Sequence, residues 1–147
     1  MALILAPGFI QAQERIDQAI NSYLLQDCYE NPQDLTGSLV AIKANKKQYV
    51  GQLLHVLEHG PDETSEAKFM ARMKRLSRNG DKEIWDGITE RALRNFRNGI
   101  KNRALVAIVH IDDPQTATQL RTILQKSEDP PFMKRMIEEA IKKLQTE

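Results

Sequence analysis

The chain has a single cysteine, Cys28, so neither an internal disulfide nor a multi-cysteine metal site can be built from it. A reducing, cytoplasmic compartment is the expectation that follows. Aromatic residues are only 5% of the sequence, and the core must therefore be mostly Leu, Ile, Val, Ala and Met. No apolar run approaches the roughly 18 residues that a membrane-spanning helix needs. The seven glycines stand singly, and none belongs to a glycine-rich phosphate loop. The opening MALILAPGF lacks a basic start and a small-residue cleavage pattern. It reads as an apolar arm (residues 1–9) that packs within this chain or on a neighbour, and not as a signal peptide.

Net charge is also nearly missing, at +1 over 147 residues, but its distribution is uneven. Residues 1–67 sum to −5, residues 68–103 to +7 and residues 104–147 to −1. The middle stretch, KFMARMKRLSRNGDKEIWDGITERALRNFRNGIKNR, holds eleven bases against four acids. Charge segregation on this scale concerns partners more than fold.

What the chain has in abundance is helical periodicity. Apolar residues at Phe9, Ala12, Ile16, Ala19, Ile20, Tyr23 and Leu24 predict a first helix to about Gln26. YENPQD (29–34) reads as a turn, after which Asp34 caps a short helix with Leu35, Leu39, Val40 and Ile42. Tyr49, Val50, Leu53, Leu54 and Leu57 predict a third helix, closed by His59-Gly60-Pro61 with glycine in a left-handed position. Asp62 or Thr64 opens a fourth, facing inward with Phe69, Met73 and Leu76 and ended by Asn79-Gly80. A fifth is capped by Asp81, buries Ile84, Trp85, Ile88, Ala92, Leu93 and Phe96, and stops at Asn98-Gly99. Ile100–Ile111 is rich in β-branched residues, yet its helical neighbours favour a buried helix over a strand. Asp113-Pro114 starts a helix with Ala117, Leu120, Ile123 and Leu124 inward. Asp129-Pro130-Pro131 starts the last, with Phe132, Met133, Met136, Ile137, Ala140, Ile141 and Leu144. The expectation is one all-α domain over residues 1–147, a compact bundle of about six to eight short helices. The outline from Lys101 to Leu144 is also faintly like a HEAT-type repeat, though one copy does not make a solenoid.

Few residues suggest chemistry. His55-Val56-Leu57-Glu58-His59 places two imidazoles one helical turn apart, the order used by some zinc hydrolases. It lies in the last turn of a helix, where histidine suits the dipole without any metal. Cys28 follows Asp27 and precedes Tyr29-Glu30, and the neighbouring acids make a poor nucleophile of the thiol. His110 reads as a half-buried histidine, and Met70, Met73, Met133 and Met136 as core fillers. No catalytic residue, metal or cofactor is expected, and the chain reads as non-enzymatic.

The cations are the positive signal. Arg91, Arg94, Arg97 and Lys101 fall within about a third of a turn on a helix, giving a charge every 5 Å or so along a ridge. Lys68, Arg72, Lys74, Arg75 and Arg78 add a flank from the preceding helix, and Arg103 follows the ridge. An acid-first order (Glu83, Asp86, Glu90) accounts for part of the charge through the helix dipole and the Glu90–Arg94 spacing. The excess points to a phosphate-bearing partner contacted through its backbone, since no base-reading motif is present. The alternative is a helical adaptor whose basic face docks an acidic protein; no membrane partner is expected.

KFMARMKRLSR (68–78) and RALRNFRNGIKNR (91–103), set on a helical bundle, resemble the small subunit of CRISPR effector complexes. That resemblance is one of overall type. It implies a subunit that guides RNA or single-stranded DNA along a basic face inside a ribonucleoprotein assembly and packs beside other subunits, possible copies of itself among them.

Overall fold

The computed structural model describes residues 20, 23–25 and 32–146. Six helices lie wholly among these residues: α1 (Pro32–Ala44), α2 (Lys46–His59), α3 (Glu63–Leu76), α4 (Lys82–Ile111), α5 (Thr116–Lys126) and α6 (Pro131–Gln145). The described part of the earlier segment, Ile20 and residues 23–25, is helical too, and no strand occurs among the described residues. The fold is an all-α bundle. None of its helices is long and apolar enough to cross a membrane, among the described residues.

The C-terminal half of α4 is the axis of the core. Ile100, Ala104, Leu105, Ala107, Ile108 and Ile111 are buried, and α2, α6 and α1 pack on them. Small residues at 104 and 107 let the neighbouring helices approach closely. Ile42 of α1, Leu53 and Leu57 of α2, Thr116 and Leu120 of α5, and Met133 and Ile137 of α6 are fully buried as well. Ile20, Tyr23 and Leu24 belong to the same core. The Tyr23 hydroxyl donates to the Arg103 carbonyl (3.0 Å), and an Arg103 guanidinium nitrogen donates to the Leu24 carbonyl (2.9 Å). This reciprocal tie holds the segment against α4.

Several boundaries differ from expectation. Helix α1 opens at Pro32, where the missing N–H costs nothing, so Asp34 lies inside the helix instead of capping it. Val40 is 59% exposed, whereas Ile42 is buried. Gly60 does end α2, with φ +81°, but its ψ of −163° is not the left-handed helical conformation. Asp62 caps α3 by accepting from the Ser65 N–H at 2.7 Å, and Asp81 caps α4 through the N–H groups of Glu83 and Ile84.

The largest correction is at Asn98-Gly99. No helix ends there: α4 runs unbroken for 30 residues, about 45 Å, through the helix and the apolar segment that the sequence separates. Gly99 lies on an open face with nothing near its Cβ position, and packing of residues 100–111 outweighs its weak helix propensity. Ile100–Ile111 is helix, as favoured over strand. The residue that stops α4 is Asp112, in the left-handed region at φ 55° and ψ 48°. Asp113-Pro114 forms a turn before α5, whose helical hydrogen bonding starts two residues later than predicted. At the start of α6, Phe132 is 45% exposed and not part of the core. His110 is exposed, not half-buried. Cys28, the apolar arm 1–9 and the first helix outside residues 20 and 23–25 lie beyond the described residues.

Candidate nucleic-acid interface

Helix α3 and the N-terminal half of α4 form a hairpin that extends away from the core. From residue 74 to residue 99 no side chain is buried, and Met73 is the one buried residue of α3. An aromatic stack and an ion pair are among the contacts that join the arms. Phe69 stacks on Phe96 with ring centroids 4.5 Å apart and planes 11° from parallel. Arg97 grips Glu66 with two guanidinium nitrogens, one of them Nε to Oε2 at 3.0 Å. The ion pair holds the Glu66 carboxyl below, and the Arg97 guanidinium above, their ordinary pKa values. At the tip, the turn from Ser77 to Gly80 brings the Trp85 indole so close to Gly80 that a Cβ there would collide with it.

Apolar residues on the hairpin are covered on one flank only, because one helix shields one side of another. Trp85, Ala92, Leu93 and Phe96 are half-buried. Leu76, Ile84 and Ile88, expected inside, are 59%, 62% and 43% exposed, and Met70 is 39% exposed. Periodicity marks which residues share a face, but it does not say whether a neighbour covers that face.

The ten cations separate into distinct groups. Lys68, Lys74, Arg75, Arg78, Arg91 and Arg94 are exposed on the hairpin, with Arg94 3.6 Å from Glu90 one turn away. Arg72 is exposed as well, with a partner of its own. Arg97 is held by Glu66. Lys101 points into the structure: its ammonium lies 2.7 Å from Asp129 and 3.5 Å from the Glu58 carbonyl, and the Lys101 and Asp129 side chains are 14% and 12% exposed. Arg103 ties down the N-terminal segment. Glu66 and Asp129 lie outside residues 68–103, so two of the seven excess charges are neutralised from the flanks. Separations of 31 and 28 residues leave no local signal of either pair.

The histidine pair is laid out as its spacing predicts. The His55 and His59 rings are 4.5 Å apart and tilted by 46°, and Glu58 lies 3.6 Å from His59. Both imidazoles face an open, largely aliphatic cavity of about 380 Å³ between α2, α3 and the segment around Ile20 and Leu24. Among the described residues, no group of three or more His, Cys, Asp or Glu side chains is placed to hold a metal ion.

What the hairpin can do chemically follows from these placements. Six of the ten cations lie exposed on one projecting element, interspersed with the exposed acids Asp81, Glu83, Asp86 and Glu90, and guanidinium groups bind phosphate in bidentate fashion. No protein family, curated protein or solved structure matches this chain.

Proposed function

We propose that the protein is a non-enzymatic helical subunit that binds nucleic-acid backbone, RNA or single-stranded DNA, through the α3–α4 hairpin. The observation that carries the proposal is the cluster of exposed cations, Lys68, Lys74, Arg75, Arg78, Arg91 and Arg94, on an element that projects from the core. Contact of this kind is electrostatic and tolerant of sequence. A place inside a larger ribonucleoprotein assembly accords with the resemblance to CRISPR effector small subunits.

Filter binding of single-stranded RNA and DNA across a salt series tests it. Arg75→Glu combined with Arg94→Glu removes two exposed cations while leaving the Phe69–Phe96 stack and the Arg97–Glu66 pair in place. The log–log salt slope should shrink by about 1.4, at roughly 0.7 per phosphate contact on a single strand. An unchanged slope and affinity would show that the hairpin is not the binding surface.

A second reading, an adaptor that docks an acidic protein, is favoured by the exposed Met70, Leu76, Ile84 and Ile88 beside the cations. A phosphate backbone has little use for such side chains, whereas the buried centre of a protein interface does. If no nucleic acid binds near 50 mM salt while an acidic partner does, this second reading replaces the first.

A further inference from the structure

The cavity beside the histidine pair has two kinds of wall. Ile20, Leu24 and Ile100, all buried, and half-buried Val56 make an aliphatic floor. Its rim is polar, with Gln52, His55 and His59 from α2 and Asp62 and Ser65 from the start of α3. The volume, about 380 Å³, falls within the roughly 300–1,000 Å³ of small-ligand sites. An amide, a hydroxyl and a neutral imidazole each donate and accept, whereas a carboxylate only accepts. The two imidazoles, 4.5 Å apart and tilted by 46°, cannot both lie flat on one ligand, so one offers a face and the other an edge. The occupant that fits is uncharged and flat, apolar on its faces, with donors and acceptors at its edge. Asp62 narrows the choice further. Hydrogen bonds from Ser65, helped by the Lys68 charge, hold its carboxyl below the ordinary carboxylate range, so an anionic ligand would meet a negative charge there. A metal ion is disfavoured, because no third His, Cys, Asp or Glu joins the two imidazoles among the described residues.

Position supplies a second argument. Ser65, Lys68, Arg72 and Arg75 follow one another at intervals of three and four, so the face of α3 that borders the cavity continues outward as a row of cations. At about 1.5 Å per residue, the cations stand roughly 5, 10 and 15 Å from Ser65 along the helix axis. Steps of that size are comparable to phosphate spacing along a strand. We infer that the cavity receives one unstacked base of a single strand whose phosphates run along this face of α3. The inference rests on the backbone reading for the strand and adds a base-binding site to it. A nucleobase has the required form, since its faces stack on an imidazole and its edge carries donors and acceptors. Exocyclic amines meet the Asp62 carboxylate, and ring nitrogens and carbonyls meet Gln52, Ser65 and the second imidazole. Stacking of this kind is tolerant of base identity, in keeping with a surface that carries no base-reading motif.

Two measurements separate this site from the charge of the hairpin. Adenosine carries a base and no phosphate. Titrated into the full chain, it should shift the imidazole proton signals of His55 and His59 and leave those of His110, outside the cavity, in place. Gly51 borders the cavity one turn before His55, and its Cβ position is open, so Gly51→Leu fills the mouth with a better helix former. In that variant the shifts should vanish while the circular dichroism is unchanged. In filter binding, the parent should hold a single-stranded oligoadenylate at least about fivefold tighter than an abasic strand of equal length and charge, and Gly51→Leu should hold the two alike. Arg75→Glu with Arg94→Glu should weaken both strands and keep their ratio. Equal binding of the two strands by the parent overturns the inference and leaves the backbone reading standing. If neither strand binds, the backbone reading falls, and the adenosine titration alone decides the cavity: shifts uphold a base site, and their absence overturns it. Histidine signals that move with Zn²⁺ or octanoate and not with adenosine also overturn it, in favour of a metal ion or an acyl carboxylate.

Discussion

Three side chains show how single residues hold this fold. Burial pushes the Tyr23 phenol up to about 12, opposed by the nearby Arg103 charge. In the unfolded chain the same group ionises near 10. Between those values only the unfolded chain releases the proton, so stability that is fully present below pH 10 is lost as pH rises through 12. The loss should reach about 2 kcal/mol by pH 12, and urea unfolding from pH 9 to 12 should show it in the parent and not in Tyr23→Phe. At the hairpin tip, Gly80→Ala should displace the only tryptophan, changing its emission and costing about 1–3 kcal/mol. Lys101→Met should cost about 2–3 kcal/mol by stranding the Asp129 carboxylate in a largely enclosed site. Asp129→Asn in the same background should recover part of that loss, whereas additive effects would mean the pair is not coupled. That pair also shows why part of the candidate site was illegible in the sequence. A lysine at three-and-four spacing from arginines looks the same whether it faces solvent or a carboxylate 28 residues away.

At the scale of elements, the order and type of the helices were legible, because apolar spacing and the Asp caps act within a few residues. The inward sets of α2, α5 and α6 follow their spacing closely, Phe132 apart. Endings were less legible. Asn98-Gly99 carries the same local signal as a true stop, and only the packing of Ile100 through Ile111 decides that α4 continues. Coverage was not legible at all: Leu76, Ile84 and Ile88 obey helical spacing, yet no described element lies over them. Gly99 is thus a weak point in an otherwise favourable helix. Gly99→Ala should stabilise the protein by about 0.5–1 kcal/mol, since the position is helical and open. A drop in chemical-denaturation midpoint would instead show that a glycine is required there.

For the whole molecule, charge and burial are both unevenly distributed. The acid-rich segment 1–67 and the cationic middle meet through Arg97–Glu66, and the hairpin lies almost wholly outside the main core. Hydrogen exchange should therefore divide α4 along its length. Amides from about 100 to 111 should be protected close to the global stability, and those from about 85 to 96 should exchange at least tenfold faster. Uniform protection along the helix would show that hairpin and core open as one unit. The shape has a mechanical consequence too. A single rod is clamped at residues 100–111 and carries its free end some 27 Å beyond the clamp, with a glycine at the pivot. A tilt of about 10° at Gly99 sweeps the tip through nearly 5 Å while the clamped turns scarcely move. Whatever seizes the tip therefore gains leverage on the helices packed around the clamp.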